Sequence, residues 1–546
     1  MILKLSVPER RAEGHADVPM RPSETKRWLA KLPSVDPAEA ARLLRGALHT
    51  LNRLEFAGRT RLKLLELYQD PIATTSLEIR KRKIGLSVPL SPDNKLIADQ
   101  IRDVHIEMAF GYKAVILDAA GASPSREGLS ESALVTAIYR AIRYLTEVMH
   151  ISYRSYAPYP DGAWSEIHEL YRHASSLGVL TQRVQDPLNS VSAASSILDI
   201  YKRALLLGLS DPYHLPYRTV DWVYAALESW AQLAQLQRAP ATSNQDRCQF
   251  VIDLDRDRPG EPYLPNTGIP DASHHVTLDT TELAIAIHTQ FWAPSEAFNL
   301  QLTGQGSLNP DLVQEMLRRL IIRWGVRPVR RFSRKHVQGT WDLTIGLNVV
   351  HYFINDGGRL GNRGGHEVVT AIPGFPPSPP YGASQYSMDW GSGNESATGL
   401  YLSLGKPAGL QLGVGELVAV RPTGHDTEWA IGVIRWVKST GPGNAEVGIE
   451  RLGAAARAVT IQSVAFASAT KSDPQVAVLV PEVKPLRQDQ TLITAKGVFK
   501  PHGAWLMQMA DTEHIIQAKR LVESTRSFDR FEFTIAYWDA LQWARK

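Results

Sequence analysis

Residues 326–335 read Val-Arg-Pro-Val-Arg-Arg-Phe-Ser-Arg-Lys, a basic stretch between a predicted helix, Asp311 to Trp324, and an apolar alternating segment, Trp341 to Phe353. From Arg318 onward the cations are Arg318, Arg319, Arg323, Arg327, Arg330, Arg331, Arg334 and Lys335, and no acid stands among them. Taken alone such a run reads as a solvated face or as an anion site. A guanidinium offers a planar fork of donors that fits a phosphate bidentately and also stacks on a base, so paired arginines suit a nucleotide better than a bare ion. A second polar group follows at Asn394-Glu-Ser396-Ala-Thr-Gly399, directly before the strand-like Leu400-Tyr-Leu. The Asn394 amide and the Ser396 hydroxyl can bond guanine or phosphate edges, and Gly399 lets the backbone turn where a side chain would collide. A third piece, Ile431-Gly-Val-Ile-Arg-Trp-Val437, pairs through the turn Gly441-Pro-Gly-Asn444 with Val447-Gly-Ile-Glu450.

In this order, Arg330-x-x-x-Arg334, Asn394-x-Ser396-x-x-Gly399 and the hairpin resemble the PilZ domain, over about residues 327–453. The resemblance implies a small β-barrel that binds the bacterial second messenger cyclic di-GMP. The family's arginine motif precedes its first strand, and its Asp/Asn-x-Ser-x-x-Gly motif lies at a strand turn on the barrel surface. Carried over, the ligand residues are Arg330, Arg331, Arg334, Asn394, Ser396 and Gly399. Arg331 is included because Arg327-x-x-x-Arg331 fits the first motif equally well. The ligand's two phosphates and two guanines suit arginine through bidentate contact and cation–π stacking. The family usually acts in motility, biofilm formation or virulence. One feature departs from its pattern: 59 residues, 335–393, separate the two motifs. Within them Gly357 to Gly393 holds nine glycines and five prolines and reads as a long loop insertion in the barrel.

Other groups carry less chemistry. Gly364-Gly-His-Glu-Val368 looks like a degraded turn of the cyclases that make the same messenger, with His366 in place of a metal-binding acid. Asp253, Asp255 and Asp257 alternate, but Arg258 stands where a calcium loop needs glycine, so pairing with arginines is the expectation. His274-His275 and His425-Asp426 lack further ligands at fitting spacing. With no phosphate-loop glycine-lysine motif and no nucleophile elbow, the chain reads as a binding protein without metal or cofactor rather than an enzyme.

The elements that must position these residues are set out along 546 residues, long enough for about three or four domains. A hydrophobic share of 44% and a charged share of 21% are those of a globular chain. A net charge of only +4 argues against general nucleic-acid binding. The single cysteine, Cys248, excludes an intrachain disulfide and fits a reducing compartment. No apolar run of about 18 residues and no signal pattern is visible, so the cytoplasm is expected.

Residues 1–20, broken by Pro8 and Pro19, read as a tail. Residues 21–240 read as an irregular α-helical scaffold. Asp36-Pro37, Ser91-Pro92 and Ser130 open helices, and further ones span Arg59 to Arg82, Trp164 to Ser176, Ser195 to Leu207 and Tyr217 to Gln237. Leu134, Ile138, Ala141, Ile142, Leu145 and Met149 recur at helical spacing as a core stripe. Residues 246–325 read as a small α+β connector, with strands at Cys248 to Leu254 and Val276 to His288 and a helix after Asn309-Pro310. A PilZ-like β-barrel over 326–455 and a β-rich segment over 456–546 complete a multidomain chain. Three functions compete: a cyclic di-GMP receptor meeting a protein partner through its helical region, a non-binding PilZ-like adaptor, and a nucleic-acid binder using Arg318 to Lys335.

Overall fold

The computed structural model describes residues 3–11, 19–55, 57–81, 88–122, 129–189, 192–238, 248–264, 271, 273–292, 310–326, 335–357, 386–396, 398–405, 411–424, 428–441, 444–453, 455–464, 473–482, 488–509 and 512–535. The chain forms two compact units, Met1–Leu86 with Leu90–Val329, and Ser87–Pro89 with Arg330–Lys546.

The first unit begins with helices α1 (Pro22–Leu29), α2 (Pro37–Asn52), α3 (Gly58–Lys81), α4 (Pro92–Leu117), α5 (Glu131–Arg154) and α6 (Ala163–Ser176). After the two-stranded β1 (Arg183–Gln185) and β2 (Ala194–Ser196) come α7 (Ile197–Leu209) and α8 (Thr219–Trp230). Side-chain oxygens of Asp36, Ser91, Ser130 and Ser196 accept N–H bonds from the first turns of α2, α4, α5 and α7, which satisfies donors the helix itself leaves free. Helix α5 packs against α4, α6, α7 and α8 and is buried on nearly every side. Its apolar stripe accounts for part of that burial, and its charges are matched by acids from elsewhere. Asp186 pairs with Arg140 (2.9 Å) and Arg143 (2.6 Å), and Asp221 with His150 (2.9 Å) and Arg154 (3.1 Å).

Several expectations change in this unit. Residues 3–11 are not a loose tail: the Ser6 N–H donates to Glu166 (2.7 Å), Arg10 pairs with Asp118 (2.8 Å), and Arg11 bridges Leu54. The helix expected to reach Gln237 stops at Trp230, and β3 (Gln235–Gln237) follows. This strand joins β4 (Gln249–Asp253), β5 (Glu261–Pro262) and β6 (His275–Asp279) in one sheet of order β3-β6-β4-β5. The run expected as one strand, 276–288, breaks at Asp279, whose carboxylate accepts the Thr281 N–H (3.0 Å) and starts α9 (Thr281–Trp292). With α10 (Pro310–Gly325), these elements share the core of the helices, so the connector is not a separate body. Trp324 of α10 lies edge-on to Trp230 of α8, centroids 6.3 Å apart.

The second unit holds two closed six-stranded barrels. The first consists of β7 (Thr340–Ile345), β8 (Tyr386–Glu395), β9 (Gly399–Gly405), β10 (Leu417–Pro422), β11 (Ala430–Gly441) and β12 (Asn444–Gly453), in the order β10-β11-β12-β9-β8-β7, closed by antiparallel pairing of β10 with β7. The segment expected to run apolar from Trp341 to Phe353 divides at Gly346, whose φ of +91° suits glycine, into β7 and α11 (Leu347–Tyr352). The expected insertion is shorter than 357–393, because 386–393 are ladder residues of β8; its remainder from 358 to 385, with the Gly364–Val368 turn, lies outside the described residues.

The second barrel is β13 (Arg457–Ser463), β14 (Gln475–Val480), β15 (Thr491–Ala495), β16 (Ala504–Met509), β17 (Thr512–Ser524) and β18 (Phe528–Ile535), in the order β13-β14-β15-β18-β17-β16. One apolar cluster joins the barrels: Leu417, Ile431 and Val433 of the first meet Val478, Ile493 and Phe528 of the second. Arg435 of β11 reinforces the join through Glu523 of β17. Among the described residues no helix is long and apolar enough to cross a membrane.

Candidate nucleotide-binding site

The described part of the expected site lies at the end of β8. Strand β8 leads into β9 through a turn closed by Ser396: its N–H donates to Gly399 O (2.8 Å), and the Gly399 N–H donates to Ser396 Oγ (3.0 Å). A Cβ on Gly399 would sit 3.0 Å from that hydroxyl, so glycine fits the turn through close approach, while its φ is unexceptional. Asn394, half-buried at the end of β8, pairs across the ladder with Tyr401. Asn394, Ser396 and Gly399 thus share one strand turn.

Arg327, Arg330, Arg331 and Arg334 lie outside the described residues. The residue that follows them does not. The Lys335 N–H donates to Glu395 O (2.7 Å), and the Glu395 N–H donates back to Lys335 O (2.9 Å). The chain continues antiparallel along β8, with Ser392 bonded to Val337 O and Gly339 O and Thr340 paired with Gly391. Lys335, the residue directly after Arg334 in sequence, is thus bonded to Glu395, which stands between Asn394 and Ser396. This bridge brings the end of the basic stretch to the turn.

Sequence reasoning missed Arg451 of β12. Its N–H donates to Thr398 O (2.8 Å), its guanidinium pairs with Glu395 (2.6 Å), and it lies over Trp341 at 5.4 Å. The signal was its place directly after Val447-Gly-Ile-Glu450. Beside the turn, Tyr401 and Trp436 stack with centroids 5.7 Å apart and planes at 24°. Tyr401 lies against Gly393 and Trp436 against Gly448, where any Cβ would collide with the rings.

The rival groups have structural roles. Asp253 pairs with Arg256 (3.1 Å) and Asp255 with Arg172 (2.5 Å), while Asp257 accepts the N–H groups of Gly162, Trp164 and Ser165 at the start of α6. His274 pairs with Asp255 (2.6 Å), and His425-Asp426 lies outside the described residues. Among the described residues no group of His, Cys, Asp and Glu could hold a metal.

A closed six-stranded barrel whose lead-in residue Lys335 is bonded to an Asn-x-Ser-x-x-Gly turn has the features of a PilZ-type domain, and the family model that matches this region is a middle PilZ domain. Three family models, all of FimW domains, match successive parts of the chain. The model for the middle PilZ domain of the cyclic-di-GMP receptor FimW matches 249–362 and 383–458, the one for its N-terminal domain 23–241, and the one for its C-terminal β-barrel domain 459–536. The break between 362 and 383 falls in the glycine- and proline-rich stretch. The cyclic-di-GMP receptor FimW of Pseudomonas aeruginosa is 26% identical, in an alignment covering 98% of this chain and 94% of the relative. No solved structure matches the chain.

Proposed function

We propose that this protein is a cyclic di-GMP receptor that holds the dinucleotide between Arg330, Arg331 and Arg334 on one side and Asn394, Ser396 and Gly399 on the other. The observation that carries this reading is the two-bond bridge between Lys335 and Glu395, which holds the residue directly after Arg334 beside the turn. The full-length similarity to a cyclic-di-GMP receptor supports it. The arginines supply bidentate phosphate contacts and stacking surfaces, the turn supplies an amide and a hydroxyl, and Arg451 adds a fixed cation beside them. No bond is made or broken, and no metal or cofactor takes part. The signal is conformational: ligand draws the basic segment, which joins the two units in sequence, onto the barrel and thereby resets the helical unit for a protein partner. We place this action in the cytoplasm. Calorimetric titration of the full chain with cyclic di-GMP tests the reading. Saturable heat that is lost with Arg334→Ala is expected. Absence of heat would leave an adaptor, and salt-sensitive binding of generic DNA uncompeted by the dinucleotide would favour the nucleic-acid reading.

A further inference from the structure

The helical unit carries a partly open cavity of about 320 Å³ between α3, α5, α7 and α8, with His105 of α4 in its wall. A smaller pocket of about 20 Å³ adjoins it, and Ser76, Arg80, His105 and Glu147 line both. The larger space lies at the lower end of the range of about 300–1,000 Å³ typical of small-molecule sites, and it far exceeds the ~30 Å³ share of one water. It is not an apolar packing void. Three guanidiniums, Arg80, Arg143 and Arg203, face it together with three carboxylates, Glu147, Asp221 and Glu228.

Most of these charges already have partners of opposite sign. Arg143 pairs with Asp186 (2.6 Å), Arg203 with Glu228 (3.3 Å), and Asp221 with Arg154 (3.1 Å) and His150 (2.9 Å). Two stand apart. Arg80 makes no ion pair among the described residues, and its buried Nε has no hydrogen-bond partner. Glu147 accepts the Tyr224 hydroxyl (3.0 Å) and lies 3.6 Å from His150 Nδ1, with no arginine or lysine at ion-pair distance among the described residues. Burial opposes its ionisation, but the neighbouring His150, Arg80 and His105 outweigh that and hold the carboxyl well below its usual range. An unpaired cation and an available carboxylate therefore border one chamber. A lone anion or a lone cation would satisfy one of them and leave the other exposed in a poorly solvated site.

We infer that this chamber is a second ligand site, which takes a small zwitterion of the α-amino acid type with its carboxylate on Arg80 and its ammonium on Glu147. Ile72, Leu77, Leu188 and Tyr144 supply the apolar wall for its side chain. This site is independent of the barrel and of the dinucleotide. The test uses the full chain without cyclic di-GMP, with each of the L-amino acids as probe and with acetate and methylammonium as single-charge controls. The expected result is a rise in Tm and saturable heat for at least one amino acid. Its N-acetyl and amide derivatives should bind roughly tenfold weaker or worse, as loss of a charged hydrogen bond predicts. Arg80→Ala should abolish the response, and so should Ala73→Phe, which fills the chamber from α3, with the circular dichroism spectrum unchanged in either case. The inference is overturned if no amino acid responds, if acetate alone matches the best of them, or if the response survives both substitutions.

Discussion

At the scale of single residues the proposed site makes separable demands. Arg330→Ala or Arg334→Ala should weaken cyclic di-GMP binding by roughly ten- to a hundredfold, since a hydrogen bond to a charged group contributes about 1.5–3 kcal/mol. Asn394→Ala should lose affinity without loss of Tm. Ser396→Ala should lose both, because its hydroxyl also accepts the Gly399 N–H; equal affinity in both variants, measured by calorimetry, would remove the turn from the site. A different residue sets a pH limit. His168 is fully buried between the Tyr201 hydroxyl (2.8 Å) and Arg258 O (2.9 Å), and burial lowers its pKa to about 4, against the pull of the Arg258 carbonyl. The unfolded chain, with a histidine pKa near ~6.5, then binds the proton that the folded chain refuses. Stability on this account is complete above about pH 6.5 and falls as pH drops towards about 4, by about 3 kcal/mol in all. Tm followed from pH 7 to 5 should fall more steeply in the parent than in His168→Gln, and parallel slopes would discount the effect.

Among elements, the strap along β8 and the contact between barrels are the joints to test. Lys335→Pro removes the N–H that donates to Glu395 O (2.7 Å) and leaves the barrel ladders intact. Dinucleotide affinity should drop while the thermal midpoint barely moves; unchanged affinity would mean that the strap does not place the arginines. Phe528, fully buried in the cluster shared by the barrels, should cost about 3–5 kcal/mol when cut to alanine. Hydrogen exchange should then rise in β10 and β11 as well as in β14 and β15. Loosening confined to the second barrel would show that the two fold independently.

For the whole molecule, the basic segment spans the boundary between the units, with Val329 on one side and Arg330 on the other. Saturating cyclic di-GMP should slow tryptic cleavage after Arg330, Arg331 and Arg334, because charged contacts draw the segment onto the turn. Equal cleavage with and without ligand would reject the conformational signal even where binding is measured.

The sequence by itself determined the features whose cause is local. Asp36, Ser91 and Ser130 announce helix starts because an N-terminal cap needs only one side chain and the next turn. The residue types of the proposed site are legible for the same reason, since Arg330, Arg334, Asn394 and Ser396 carry their donors and acceptors wherever the chain puts them. Local pattern failed where a short polar break redirects an apolar run. Asp279 turns a strand into α9, and Gly346 turns another into α11, yet the residues beyond each break keep an apolar character that suits either state. Only the tertiary structure decided which distant groups meet. Arg143 finds Asp186 43 positions away and His150 finds Asp221 71 positions away, because helix packing rather than spacing brings them together. The barrel in turn sets Lys335 against Glu395 and Arg451 against the same glutamate. Strand register depends on pairing across the whole closed sheet, and no window of neighbouring residues contains that information.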